Sequence, residues 1–379
     1  MSRVKFCDVN CSSNLESTMR NYFLFFIYFF LLLSCSKKSI KPIELPIIVI
    51  AEDSFVRGVD FSFLPELEQY GTKFFSVDSI PNDALSILSA MGCNTVRVRV
   101  WVNPSDVHSS LDEVVIMVKR IKQNKMKVIL DLHYSDTWAD PGHQAKPAQW
   151  AGLSTANLTD SVYAYTQRVM NKTQPEYVQI GNEINDGFLW NDGKIANQAI
   201  FIQLLKAGIR ASRDSNPKCK VIIHYAGLNG AEWFYSILKK EVVDYDIIGL
   251  SYYPIWHGYS FDTLQLTIEN LVLQTSKKVM VVETAYPFTL GWNDYTNNIV
   301  GLPNQLIPGY PASPQGQLDF MKKIRSVLEQ NSKGAGFCYW GGEWVAFKGP
   351  ISTSGSSYEN QALFNFNNRA LPVMQVFKK

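Results

Sequence analysis

Val178-Gln179-Ile180-Gly181-Asn182-Glu183-Ile184 begins as a β-branched apolar run and ends in an amide and a carboxylate. Such a run reads as a buried strand that delivers polar groups to one end of a sheet. Further along, Val279-Met280-Val281-Val282-Glu283-Thr284 has the same form. Two glutamates, each at the mouth of its own strand, are what two-carboxylate chemistry requires.

Outward from these two strands, six further strand-like runs alternate with helical periodicity. In chain order the predicted strands are Phe55–Phe61, Asn94–Trp101, Lys127–His133, Val178–Ile184, Lys220–Tyr225, Asp246–Tyr253, Lys278–Thr284 and Gly334–Trp340. Predicted helices cover Asp83–Met91, Leu111–Asn124, Thr155–Met170, Ala196–Ser212, Glu232–Lys239, Phe261–Gln274 and Gln315–Glu329, with a short final one over Glu359–Asn367. Strict alternation implies a parallel sheet covered by helices, and eight strands suggest closure into a single (β/α)8 barrel of the α/β class. Polar residues gather at the C-terminal ends of the strands, where such barrels place their sites and where the predicted loops are longest. Strands four and seven face each other across that mouth, so Glu183 and Glu283 can converge on one bound group.

Composition narrows the chemistry. A formal charge of +2 over 379 residues leaves no basic footprint for nucleic acid. The five histidines show no metal-ligand spacing, there is no HExxH string, no GxSxG elbow and no phosphate-cradling glycine loop. Carboxylates, amides and aromatics remain. Aromatics make up 13% of the chain, enough to supply both a core and a sugar-stacking cleft. Six cysteines without a CxxC pair read as buried thiols rather than a disulfide framework.

Tyr22–Leu33 is an unbroken apolar run, too short for the ~20 residues of a spanning helix, and fits the core of a signal peptide. It leads into Leu32-Leu33-Ser34-Cys35, which resembles a bacterial lipobox. The expected organisation is an N-terminal extension and signal over residues 1–34, with translation starting at Met19. A lipidated Cys35 and a tether follow over 35–52, and a catalytic domain over 53–379. The expectation is an exported bacterial lipoprotein held by its acyl chains on the outer membrane.

Longer strings allow a narrower reading. Arg57-Gly58-Val59-Asp60, Val96-Arg97-Val98-Arg99-Val100-Trp101 and Asp131-Leu132-His133-Tyr134-Ser135-Asp136-Thr137-Trp138-Ala139-Asp140-Pro141 precede the Asn182-Glu183 strand. Ser251-Tyr252-Tyr253-Pro254-Ile255-Trp256-His257-Gly258 and Glu283-Thr284-Ala285-Tyr286 follow it. With these strings the chain resembles glycoside hydrolase family 53, the endo-β-1,4-galactanases, over about residues 55–375. The resemblance implies retaining hydrolysis of β-1,4-galactan in type I arabinogalactan by a monomer that needs no cofactor. It makes Glu183 the general acid/base and Glu283 the nucleophile. Asn182 would bond the sugar 2-hydroxyl, Arg97 would pair with Glu283, and Trp340 would floor the reactive subsite. Tyr253 would donate to the nucleophile, with Tyr252 as its competitor, and His133, Asp136, Trp138, His257 and Tyr286 would line the subsites. Some bacterial relatives bind calcium between the loops after strands seven and eight. Here that loop offers Asn293, Asp294, Asn297 and Asn298 without a run of alternating acids, so no ligands are assigned. The rival readings are a mannanase or cellulase of the same clan and a non-catalytic glycan-binding lipoprotein.

Overall fold

The valine- and isoleucine-rich runs form eight strands because branched side chains pack well on a pleated, buried surface. In a computed structural model that describes residues 55–379 they are β1 Val56–Asp60, β2 Thr95–Val100, β3 Lys127–Leu132 and β4 Tyr177–Ile180. The remainder are β5 Lys220–Ala226, β6 Ile247–Ser251, β7 Lys278–Thr284 and β8 Gly334–Tyr339. All neighbours pair in parallel, and β8 closes onto β1, so the (β/α)8 barrel is as expected. The extension, the signal, Met19, Cys35 and the tether lie outside the described residues. Among the described residues no helix is long and apolar enough to cross a membrane.

Seven helices cover the barrel: α1 Ala84–Ala90, α2 Leu111–Gln123, α3 Thr155–Thr173, α4 Gln198–Ser215, α5 Ala231–Lys240, α6 Phe261–Thr275 and α7 Pro314–Glu329. Five start at side-chain caps. Asp83, Ser110, Ser154, Ser260 and Ser313 each accept a backbone N–H from the first turn, satisfying a donor the helix cannot.

The predicted final helix over 359–367 does not form. Only a single 3-10 turn, Glu359–Gln361, occurs there. Asn365 instead accepts from the amides of Asn367 and Arg369, and Asn360 donates to the carbonyls of Thr289 and Val300. Asparagines that satisfy the backbone locally compete with a helix. The eighth helical position is filled by a 3-10 segment, Pro372–Phe377, pinned where Arg57 Nε donates to Phe377 O at 2.7 Å and Arg325 Nη1 to Val376 O at 2.8 Å. A short helix, Leu64–Gln69, and a hairpin pairing Phe74–Phe75 with Pro81–Asn82 lie between β1 and α1 and were not expected.

The core has two layers. One packs the outer face of the strands against the helices, and a smaller one fills the barrel floor with Val56, Ile129, Ile222, Ile247, Met280 and their neighbours. Above that floor the inward positions turn polar: Asp60, Arg97, Asp131, Gln179 and His224 are all buried. Cys93, Cys219 and Cys338 are buried free thiols, as expected, and burial pushes Cys93 and Cys219 up to about 12.

Candidate active site

Strand β4 stops at Ile180, three residues before its glutamate. Gly181 has φ +78, where a Cβ would stand 2.5 Å from Ile184 Cγ2, so only glycine fits this turn. Glu183 itself has φ +48, an uncommon conformation for a residue with a side chain and one that collects at functional sites. The turn sends both Asn182 and Glu183 toward the mouth.

Strand β7 solves the same problem differently. Met280 and Val282 point into the barrel, so plain alternation would aim Glu283 outward at the helices. The pairing of β6 with β7 slips by one residue between Leu250↔Val281 and Ser251↔Glu283, and β8 slips against β7 over the same span. This bulge turns Glu283 inward, a re-aiming that bulges beside active sites perform.

One carboxylate oxygen of Glu183, one of Glu283 and one ring nitrogen of His224 all lie within 4.8 Å of each other. They do not make a metal cradle. His224 Nδ1 receives the Glu183 amide and the Gln179 side-chain amide, and Nε2 is bonded to Ser251, so the ring has no lone pair to give.

Charge is distributed unequally over the two glutamates. Glu283 Oε1 lies 2.8 Å from Arg97 Nη2, and its Oε2 accepts from the Tyr253 hydroxyl at 3.0 Å. Tyr253, rather than Tyr252, is the donor; Tyr252 bonds the carbonyl of Gly258 instead. Among the described residues Glu183 has only the Ser251 hydroxyl, at 2.5 Å from Oε1. Burial raises both carboxyls above the usual range, and their mutual repulsion adds to it for Glu283; Glu183 is pushed up to about 7. Like charges this close oppose ionising together, and the contacts of Arg97 and Tyr253 favour the charge on Glu283. Arg97 also meets Asp60 at 2.7 Å and Asp131 at 2.9 Å, so one buried guanidinium serves three carboxylates.

The cleft around them has a volume of about 480 Å³. Its walls include Trp138, Trp256, His257, Trp340, Trp344 and Tyr358. Trp138, His257 and Trp340 thus stand where the sequence places them. Asn182 lines it too; its Oδ1 is taken by Arg97 and Gln179 and one Nδ2–H by Ala139 O, leaving one N–H for a sugar. His257 Nδ1 accepts the Tyr253 amide, and burial lowers the ring to about 4, so it is neutral with Nε2–H as its donor.

Two expected subsite residues act elsewhere, and a third lines the cleft with its polar atoms engaged. Asp136 is absent from the cleft and holds the loop after β3, accepting from the amides of Asn103 and Ala148. Tyr286 is 1% exposed, stacks on Phe320 and bonds Tyr310 O beneath the β7 loop. His133 lines the wall, yet both its nitrogens are used: Nδ1 receives Trp101 Nε1 and the Ala139 amide, so Nε2–H donates to Asp131. A cavity of about 690 Å³ at the other end of the barrel is lined by Lys127, Lys220, Lys277 and Lys278 and lies away from the carboxylates.

The sequence reading missed His224, Ser251, Trp344 and Tyr358. Inward alternation along β5 and β6 was the available signal for the first two. Trp344 stacks on Phe63 at 3.9 Å, a contact between segments about 280 positions apart that no local pattern announces.

In the β7 and β8 loops, Asp294 Oδ2, Asn298 Oδ1 and Glu359 Oε2 are buried without a hydrogen-bond partner. Burial, with the Asp294 charge beside it, raises the Glu359 carboxyl. Neither acid forms an ion pair among the described residues. Two neighbouring carboxylates and an amide oxygen are a hard-oxygen donor set that fits a calcium ion. Glu359 lies beyond β8, away from the loop where the sequence placed candidates.

Comparison with known proteins agrees with this geometry. The family model described as glycosyl hydrolase family 53 matches residues 56–377. An arabinogalactan endo-β-1,4-galactanase of Thermothelomyces thermophilus is 34% identical over 340 residues, covering 85% of this chain and 98% of that protein. An endo-β-1,4-galactanase of Bacillus subtilis is 32% identical over 373 residues, covering 86% and 85%. The solved family 53 catalytic domain of Ignisphaera aggregans superposes with a TM-score of 0.82 at 39% identity, covering 86% of this chain and 96% of that one. The chain belongs to glycosyl hydrolase family 53.

Proposed function

We propose that this protein hydrolyses internal β-1,4-galactosidic bonds of pectic galactan with retention of configuration. The observation that carries the reading is the spacing of the glutamates: oxygens within 4.8 Å suit the ~5–5.5 Å of a retaining pair and leave no room for the water an inverting pair needs. Glu283, kept ionised by Arg97 and Tyr253, attacks the anomeric carbon while Glu183 protonates the leaving oxygen. The glycosyl ester neutralises Glu283, the Glu183 proton is then easier to lose, and Glu183 deprotonates the incoming water. Trp340 and Trp138 offer faces on which a sugar can stack, and the remaining Asn182 N–H can meet the 2-hydroxyl.

The galactan assignment is supported by relatives whose names specify that polymer. Incubation with galactan, β-mannan and cellulose tests it: release from galactan is expected, and release confined to mannan or cellulose would overturn it. Glu283→Gln separates catalysis from a purely glycan-binding role. It is expected to abolish turnover while leaving galactan retention on an affinity gel intact.

Two further parts of the proposal rest on other features. Asp294, Asn298 and Glu359 would hold a structural calcium ion. Export and lipidation at Cys35 would tether the domain to a membrane, supported by the Tyr22–Leu33 run and the cysteine that follows it. Incorporation of labelled palmitate that disappears in Cys35→Ser is the expected result.

A further inference from the structure

Glu183 Oε1 accepts from the Ser251 hydroxyl at 2.5 Å, and Ser251 Oγ lies 2.8 Å from His224 Nε2. Both Ser251 and His224 are fully buried. The direction of this chain follows from the far side of the imidazole. His224 Nδ1 faces the Glu183 amide at 3.3 Å, Gln179 Nε2 at 3.1 Å and Asn182 Oδ1 at 3.0 Å. Of the three, the Glu183 backbone N–H can only donate, whereas Gln179 Nε2 divides its two hydrogens among Asp131 Oδ1, Asn182 Oδ1 and Nδ1. Nδ1 is therefore the acceptor and Nε2 carries the hydrogen. Nε2–H occupies a lone pair of Ser251 Oγ, which leaves the serine hydrogen free to point only at Glu183.

We propose that Ser251, oriented by His224, is a positioning residue that keeps Glu183 Oε1 an acceptor and so assigns the catalytic proton to Oε2. Oε1 already accepts from a donor that has no other acceptor to turn to, whereas Oε2 has no protein hydrogen-bond partner among the described residues, and Glu183 lines the cleft. A carboxyl group with two equivalent oxygens would hold its proton on the wrong one part of the time. The relay removes that loss and, by donating to the charged form, holds the Glu183 pKa down against burial. The other ionisable groups facing Glu183 are Arg97, Asp131, Asp140, Tyr253, Glu283 and Tyr358, none of which bonds it. The inference rests on Glu183 being the acid/base.

The test compares kcat/KM against pH on galactan and on a dinitrophenyl β-1,4-galactobioside, whose leaving group needs no proton. Ser251→Ala is expected to lower kcat/KM on galactan by on the order of tenfold. Its alkaline limb should move to higher pH, while the dinitrophenyl substrate stays within about twofold. Ser251→Thr, which keeps the hydroxyl, should bring the limb back. Equal losses on both substrates with an unmoved limb would reduce Ser251 to a packing role and overturn the proposal. Glu183→Gln is the control on the underlying reading. It should lose galactan and spare the dinitrophenyl substrate; if it still hydrolyses galactan, the acid/base assignment itself fails, whatever Ser251 does.

Discussion

Arg97 carries more of this site than either glutamate. It is 1% exposed and lies within 2.9 Å of carboxylate oxygens of Asp60, Asp131 and Glu283, which with it bring a net charge of −2 into the barrel. Removing one member of such a network leaves uncompensated buried charge, which costs about 3–5 kcal/mol. Arg97→Met is therefore expected to lower the urea midpoint strongly and to abolish turnover together, because the charge on Glu283 loses its closest partner. A second outcome follows from Glu183. Its carboxyl is raised to about 7 in the folded enzyme, so the proton that catalysis needs is present below that value and lost as pH rises through it. A pH profile of kcat/KM on galactan should fall on its alkaline side near pH 7, and a profile flat to pH 9 would contradict the assignment.

Barrel closure depends on a strand that is not regular. Where β8 meets β1 and β7, Gly336 sits at φ +126, and a Cβ there would stand 2.1 Å from Val56 O. Substitution must push β1 and β8 apart at the seam. Gly336→Ala is expected to destabilise by at least ~1–3 kcal/mol, measurable as a lowered melting temperature without a change in the shape of the pH profile. The bulge in β7 has the opposite emphasis. It lies above the barrel floor, so its value is in the direction it gives Glu283. Alternation read along Lys278–Thr284 locates this strand correctly and aims its acid the wrong way. The slip is set by pairing with both neighbours, and neither neighbour is visible in the strand's own residues.

The loops beyond β7 and β8 join segments far apart in the chain around Asp294 and Glu359, and the calcium ion proposed above would bind to their orphaned oxygens. Calcium at a hundred times its Kd would contribute ~2.7 kcal/mol, about 4 °C in melting temperature for a domain of this length. Chelation by EDTA should lower the transition by that order and calcium should restore it; an unchanged transition would remove the proposed ion. Much else here was settled by local pattern. Eight β-branched runs alternating with helical periods fix a closed parallel barrel, because burial on both faces demands such strands and crossover connections demand such helices. The same pattern puts Glu183 and Glu283 at strand ends on one face of the barrel, and the surrounding strings identify the family. Tertiary structure decided the rest. Asp136 and Tyr286 sit in recognisable strings yet face away from the cleft, because loop packing sets their direction. His224 and Ser251 gain meaning only through Glu183, and the Glu183 turn and Glu283 bulge are what bring two carboxylates within 4.8 Å. Periodicity reports which face a residue occupies, while catalysis depends on a few ångströms of approach between residues that only the closed barrel makes neighbours.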